Sequence, residues 1–190
     1  LVQSVMADIL NEVYEPRFLD CSYGFRPNRS AHDVVRFINE KVMHGNFKWV
    51  VEADIKGFFD NVNHKTLMMF LTNDISDPNF LRYVARFLKA GVMDGTELLD
   101  SDKGTPQGGL ISPVLANVYL HYVLDLWVEK RVKKHVSGSV AYVRYADDFL
   151  FLVKDERDAH RILRSMIKRL ERFGLEVAAE KTRILPFDRR

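Results

Sequence analysis

Two adjacent carboxylates, Asp147 and Asp148, interrupt an apolar stretch that reads V-A-Y-V-R-Y-A-D-D-F-L-F-L-V from Val140 to Val153. Val, Phe, Leu and Tyr on both flanks predict a β-hairpin with buried strands and the acidic pair at its tight turn. Asp suits a turn because its side chain can bond the local backbone. Two carboxylates at the tip of a buried hairpin nevertheless repel each other unless a positive charge stands between them and a partner. A divalent cation with oxygen ligands fills that need. A third carboxylate closes the apolar run K-W-V-V-E-A-D-I-K: Asp54, with Glu52 two residues earlier on the same strand face. Burying Asp54 is unfavourable unless it is paired or bound to metal. Asp54, Asp147 and Asp148 on neighbouring strands could hold two Mg²⁺ ions roughly 3.5–4 Å apart and support in-line phosphoryl transfer. The alternative is a set of strand-end and turn acids paired with Lys or Arg, and spacing alone does not decide between them.

The totals are those of a folded domain. The chain has 190 residues, 47% of them hydrophobic and 28% charged, enough for a substantial core without disorder. No apolar run approaches the roughly 18 residues of a membrane span, so no membrane partner is expected. One cysteine excludes an internal disulfide and suits a reducing cytoplasm. Six histidines and that cysteine show no zinc-ligand spacing. A net charge of +2 does not by itself imply nucleic acid; the placement of the charges matters more.

The elements that must position the carboxylates follow from periodicity and punctuation. Residues 1–14 have helical spacing and stop before Pro16. Ser30 with Asp33 predicts a capping box for a helix from Ala31 to His44, and Gly45 a left-handed C-cap. Lys48–Lys56 is β-branched and predicts a central strand, broken by Gly57. A helix is expected over Thr66–Asn73, and another from Asp77-Pro78 to Gly91. Asp94-Gly95 predicts a hairpin turn. Gly-rich Lys103–Leu110 leads into a long helix from Ser112, as N-cap, to about Lys134. After the Asp-Asp hairpin come a helix from Asp155 to Phe173, closed by Gly174, and short strands at Leu175–Val177 and Thr182–Phe187. The pattern predicts an α+β fold, a sheet with helices packed on one face.

Several motifs resemble one family. Tyr145-Ala146-Asp147-Asp148 is similar to the reverse-transcriptase Y-x-D-D box, and Ala53–Asp60 (A-D-I-K-G-F-F-D) to its first catalytic motif. Gly104–Leu120, with P-Q-G-G-L-I-S-P-V-L-A-N, resembles bacterial group II intron-encoded reverse transcriptases, or maturases. Tyr23–Ser30 (Y-G-F-R-P-N-R-S) resembles the fingers motif of that family, and Gly174-Leu175 with Glu180-Lys181-Thr182 a later palm motif. The five motifs stand in family order across Tyr23 to Thr182.

This resemblance implies the fingers and palm of a right-hand polymerase with an antiparallel palm sheet. Part of the fingers falls at 1–47, the first catalytic strand at 48–64, a fingers/palm insertion at 65–110 and the palm at 111–190, the thumb and first fingers motif lying outside. The implied activity is RNA-directed DNA polymerisation, with RNA template, DNA primer, dNTP and group II intron RNA as partners, in a bacterial cytoplasm and with a homodimer as the implied assembly. It implies two Mg²⁺, or Mn²⁺, held by Asp54, Asp147, a weaker Asp148 and the carbonyl of Ile55. Phe59 would be a steric gate against the ribose 2′-hydroxyl. Arg26 would clamp the triphosphate, Lys181 would protonate the leaving pyrophosphate, and Gln107, Gly108 and Gly109 would let the backbone approach the nascent base pair. Two other functions stay open: a non-catalytic RNA-binding splicing scaffold, and a retron, diversity-generating or CRISPR-linked reverse transcriptase. Finally, Arg157, Arg161, Arg164, Lys168 and Arg172 share one face of the 155–173 helix, and Lys130, Arg131, Lys133 and Lys134 form a second basic cluster. Each reads either as a solvated surface or as a contact for RNA or protein.

Overall fold

The run W-V-V-E-A forms strand β1 (Trp49–Ala53), and its burial shows why it is interior: Val51 and Ala53 point into the core while Glu52 is exposed on the other face. The computed structural model describes residues 2–89, 93–94, 97–98, 102–105 and 109–187. β1 pairs antiparallel with β5 (Asp148–Val153) on one side and β6 (Arg183–Pro186) on the other, and β4 (Val140–Tyr145) pairs with β5, giving the order β4-β5-β1-β6. One face of this sheet, with Val51, Phe149, Phe151 and Val153, enters the main core. The other carries Ala141 and Leu152 against Phe47 and the flank of helix α2 (Ala31–His44).

The helices follow their expected starts closely. Helix α1 spans Val2–Tyr14, and α2 has the capping box of Ser30 and Asp33. Gly45 departs from the expected left-handed cap: it is extended at φ −88°, and its role is space, since a Cβ would overlap the Phe47 ring and the Lys41 carbonyl. A short α3 (Phe58–Asn61) starts at left-handed Gly57, before α4 (His64–Asp74). The amides of Asn79 and Phe80 bond the Asp77 carboxylate at the start of α5 (Pro78–Lys89). Strands β2 (Met93–Asp94) and β3 (Glu97–Leu98) form the expected hairpin, whose Gly95 lies outside the described residues, as does Gly91.

The long helix is less regular than its sequence suggests. It begins as α6 (Ser112–Leu120), with Ser112 inside the first turn and Ile111 in the capping position. It passes through two π-helical stretches, His121–Asp125 and Val128–Val132, and ends in α7 (Lys133–His135). Helix α8 (Glu156–Glu171) packs over β1 and β5, with Ile162, Met166 and Leu170 buried. Gly174 then turns left-handed at φ +70°. Of the two short strands expected near the end, β6 forms, while Val177 makes only an isolated bridge with Ile55. The main core draws on all four expected segments of the chain, from Met6 through Ile55 and Leu67 to Leu115. No helix among the described residues is long and apolar enough to cross a membrane.

Arg144, the last residue but one of β4, and Asp125, at the end of the first π stretch, are both fully buried. Arg144 donates from Nε to Asp125 Oδ1 at 2.9 Å and from Nη2 to Oδ2 at 2.6 Å. Tyr142 donates its hydroxyl to Asp125 Oδ1 at 3.0 Å. Burial works against the Arg144 charge, but Asp125 outweighs it and holds the guanidinium pKa above its ordinary value. Removing one partner strands the other charge in the core. Asp125→Ala is therefore expected to lower stability by about 3–5 kcal/mol, read as a shift of the urea midpoint followed by circular dichroism.

Candidate active site

The same arginine reaches the acidic turn. Arg144 Nη1 donates to the Ala146 carbonyl at 2.9 Å and to Asn117 Oδ1 at 2.9 Å, while Nη2 donates to Ser22 Oγ at 2.8 Å. Asn117 in turn donates to the Gly24 carbonyl at 2.8 Å. The turn is two residues long, Ala146 and Asp147, with Tyr145 paired to Asp148 and Ala146 left-handed at φ +56°. Gly24 lies directly against it: a Cβ there would overlap the Ala146 backbone nitrogen. Ser22, Gly24 and Asn117 thus fix the turn from the loop and helix sides, and Arg144 fixes it from beneath.

Asp54 follows β1. The pairing Ala53↔Phe149 runs antiparallel, so one step further along the same register sets Asp54 across from Asp148. Asp54 is buried, and its Oδ2 accepts from Lys181 Nζ at 2.5 Å. Its own carbonyl accepts from the Ala178 amide at 2.9 Å, which brings the Ala179–Lys181 turn alongside. Asp54, Asp148 and Lys181 line a cleft of about 480 Å³ together with Glu52, Tyr145 and Arg183, and Glu52 pairs with Arg183 at 3.6 Å. Asp147 sits half-buried in the turn. Burial raises its pKa, and the like charges of Asp54 and Asp148 raise it further. Asp148 moves the same way, through burial and then Asp54. Lys181 is raised in its turn by its bond to Asp54.

The donor set fits a hard divalent cation: oxygen ligands only, and carboxylates whose proximity disfavours their charged forms. The Ile55 carbonyl is also free of the strand ladder, since the bonds flanking its bridge to Val177 use the carbonyls of Asp54 and Glu176. The assembly differs from the expectation in one respect. Among the described residues no three acidic or His/Cys side chains stand close enough to form a metal site, and Lys181 holds Asp54 instead.

Arg26 requires a correction. Its guanidinium does not reach out as a triphosphate clamp; it is buried and bonded to Glu15 at 2.7 Å and to the Leu19 and Ser22 carbonyls at 2.8 Å. It locks the loop that carries Ser22 and Gly24. Phe59 is partly exposed and packs edge-on against Phe58 at 5.4 Å and Phe25 at 6.5 Å, joining the loop to the core. Gln107 and Gly108 lie outside the described residues; nearby Gly104 is left-handed at φ +92°, and its carbonyl lies 2.5 Å from His64 Nε2. The sequence reading assigned no role to Arg144, Asp125 or Asn117. The available signal was a charge within an apolar strand and another inside L-D-L-W, each of which demands a buried partner.

A family model described as reverse transcriptase (RNA-dependent DNA polymerase) matches residues 1–187. The chain belongs to the reverse transcriptase family. Group II intron-encoded protein LtrA of Lactococcus lactis subsp. cremoris is 32% identical over 97% of this chain and 40% of its own length. Protein YkfC of Escherichia coli (strain K12) is 31% identical over 81% of the chain and 48% of its length. The chain thus spans less than half of either relative. Nuclear intron maturase 2, mitochondrial, of Arabidopsis thaliana is 27% identical over 70% of the chain and 23% of its length. Among solved structures, apo telomerase of Candida tropicalis truncated from its C-terminal domain superposes with a TM-score of 0.71 at 14% identity, covering all of this chain and 41% of that one. Telomerase of Candida albicans in complex with a fragment of telomeric RNA gives 0.68 at 15%, covering all of this chain and 34% of that one. These likenesses establish the polymerase-type α+β fold, fingers and palm included.

Because an acid with a raised native pKa binds more protons folded than unfolded, stability must fall as pH rises from the ordinary value of 3.8 through the shifted one. In the presence of chelator, Asp147→Asn is expected to melt at a higher temperature than wild type at pH 7. The gain should vanish below pH ~3.8, where both states are protonated.

Proposed function

We propose that the chain carries the catalytic palm of an RNA-directed DNA polymerase that adds dNTPs to a DNA primer on an RNA template, in the service of a group II intron. What carries the reading is the hairpin turn that holds Asp147 and Asp148 beside the end of β1, where Asp54 lies, so that the charges of the three carboxylates oppose one another, within a reverse-transcriptase fold. In the step, the primer 3′-hydroxyl releases its proton to water, its oxygen forms a bond to the α-phosphorus, the bond from that phosphorus to the bridging oxygen breaks, and pyrophosphate leaves. Asp54, Asp147, Asp148 and the Ile55 carbonyl would hold two Mg²⁺. When bound, these lower the pKa of the primer hydroxyl and neutralise charge on the triphosphate. Lys181 stays protonated beside Asp54 and offers a cation to the leaving pyrophosphate. Phe59, between Phe58 and Phe25, is held stiffly enough to act as a wall against a ribose 2′-hydroxyl.

A second reading, an RNA-binding splicing scaffold without catalysis, draws on one observation: Lys181 engages Asp54 and no metal group is assembled among the described residues. Primer extension on an RNA template by the full natural polypeptide separates the two. Asp54→Asn and Asp147→Asn should abolish addition, and Asp148→Asn should leave a measurable remnant. Extension by wild type and Asp147→Asn at equal rates would overturn the proposal. In the same assay Phe59→Ala should raise ribonucleotide incorporation relative to deoxynucleotide on the order of 10- to 100-fold. An unchanged ratio would remove Phe59 from the gate.

A further inference from the structure

The two basic clusters, separate in sequence, face each other across one groove. Lys130 and Arg131 stand on the second π-helical stretch, and Arg164 and Lys168 on α8 with Arg172 at its C-cap. Between them run two contiguous hollows of about 350 and 630 Å³ that share Trp127 as part of their lining. Among the described residues none of these five cations is held by an ion pair. The pairs nearby are Lys133 with Glu129 and Arg161 with Asp158, and the second Asp158 oxygen already accepts from the Ser137 amide. The basic residues of α8 rise one per turn, so from Arg161 to Arg172 they form a file about 16 Å long. Burial and then the neighbouring Arg172 push the Arg169 pKa down, a crowding of like charge that an anion would relieve. With a net charge of only +2 on the whole chain, this concentration is one of placement.

The groove is separate from the catalytic cleft. The cleft is lined by Val34 of α2 and by Glu52 and Leu150, which alternate with the core-facing residues of β1 and β5. Helix α8 packs on the opposite, core side of the sheet, with the groove on its far flank.

We infer that this groove is a second RNA site, which grips the phosphodiester backbone of an RNA segment other than the template. Regularly spaced, unpaired cations beside a partly exposed indole suit a polyanion with stackable bases. An acidic protein segment suits it less, because protein partners anchor on apolar side chains, and among the described residues none of the large exposed apolar side chains lies here. The inference takes only the class of polymer from the proposed function.

The test uses the full natural polypeptide and its Lys130→Gln, Lys168→Gln, Arg172→Gln triple variant. All three side chains are exposed. The probe is a fluorescein-labelled RNA hairpin with no primer annealed, titrated over a range of salt. The variant should bind at least ~10-fold more weakly near 0.1 M salt, with a salt slope lower by about 2 to 3. It should still extend a saturating, pre-annealed short primer–template, and Asp147→Asn should bind the hairpin like wild type. Poly-glutamate at matched charge should fail to displace the hairpin. Unchanged affinity and slope in the triple variant would overturn the inference, as would displacement by poly-glutamate, which would mark a protein-binding groove. Lost hairpin binding in the triple variant, in a protein whose wild type extends no primer, would sustain the groove and remove the polymerase reading.

Discussion

Everything at the candidate site depends on one buried ion pair. Arg144 and Asp125 are inaccessible to solvent, and an isolated charge at either place would be strongly unfavourable. The pair is tolerated because every direction of the guanidinium is used: Asp125 twice, Asn117, Ser22 and the Ala146 carbonyl. A hydrophobic pair could fill the same volume, but it could not hold the carbonyl of a left-handed alanine beside two carboxylates. Specific geometry at the turn, more than stability, is what the buried charges supply.

The constraint spreads outward from there. Asp125 belongs to a π-helical stretch, where the extra residue per turn alters which side chains face the sheet. Just before it, the Tyr122 and Val123 carbonyls accept from Arg169 of α8, whose guanidinium also lies 4.6 Å over the Phe173 ring. The irregular helix is thus fastened to the β4–β5 hairpin on one side and to the basic helix on the other. The fingers loop is fastened by Arg26, whose bonds to Glu15 and two carbonyls hold Ser22 and Gly24 against the turn. The acidic turn therefore rests on a frame whose parts come from separate stretches of chain.

Much of this was legible in the sequence. Short, nearly continuous apolar runs rich in β-branched and aromatic residues marked β1 and the β4–β5 hairpin, Ser30 with Asp33 marked the start of α2, and Asp54 stood out as an acid at the end of a buried strand. The motifs resembling reverse transcriptases named the family that the whole-chain match then established. What the sequence hid was side-chain destination. Arg26 sits in a motif suggestive of phosphate contact, yet Glu15, eleven residues earlier, claims it. Local spacing carries no record of such a partner. The π stretches were invisible because their composition is that of any apolar helix, and Arg144 and its partner Asp125 stand nineteen positions apart in the chain. Gly45 was read through its φ when its reason is the lack of a side chain beside Phe47.

The central claim is that the Arg144 network positions the turn for nucleotide addition. Its most direct test is single-turnover addition by Arg144→Lys in the full natural polypeptide, measured across Mg²⁺ concentrations alongside a thermal melt. Lysine keeps the charge facing Asp125 but cannot also hold the Ala146 carbonyl. The account predicts a slower maximal rate and a higher Mg²⁺ requirement even at temperatures where the variant is fully folded. A folded variant with the wild-type rate and Mg²⁺ dependence would contradict it.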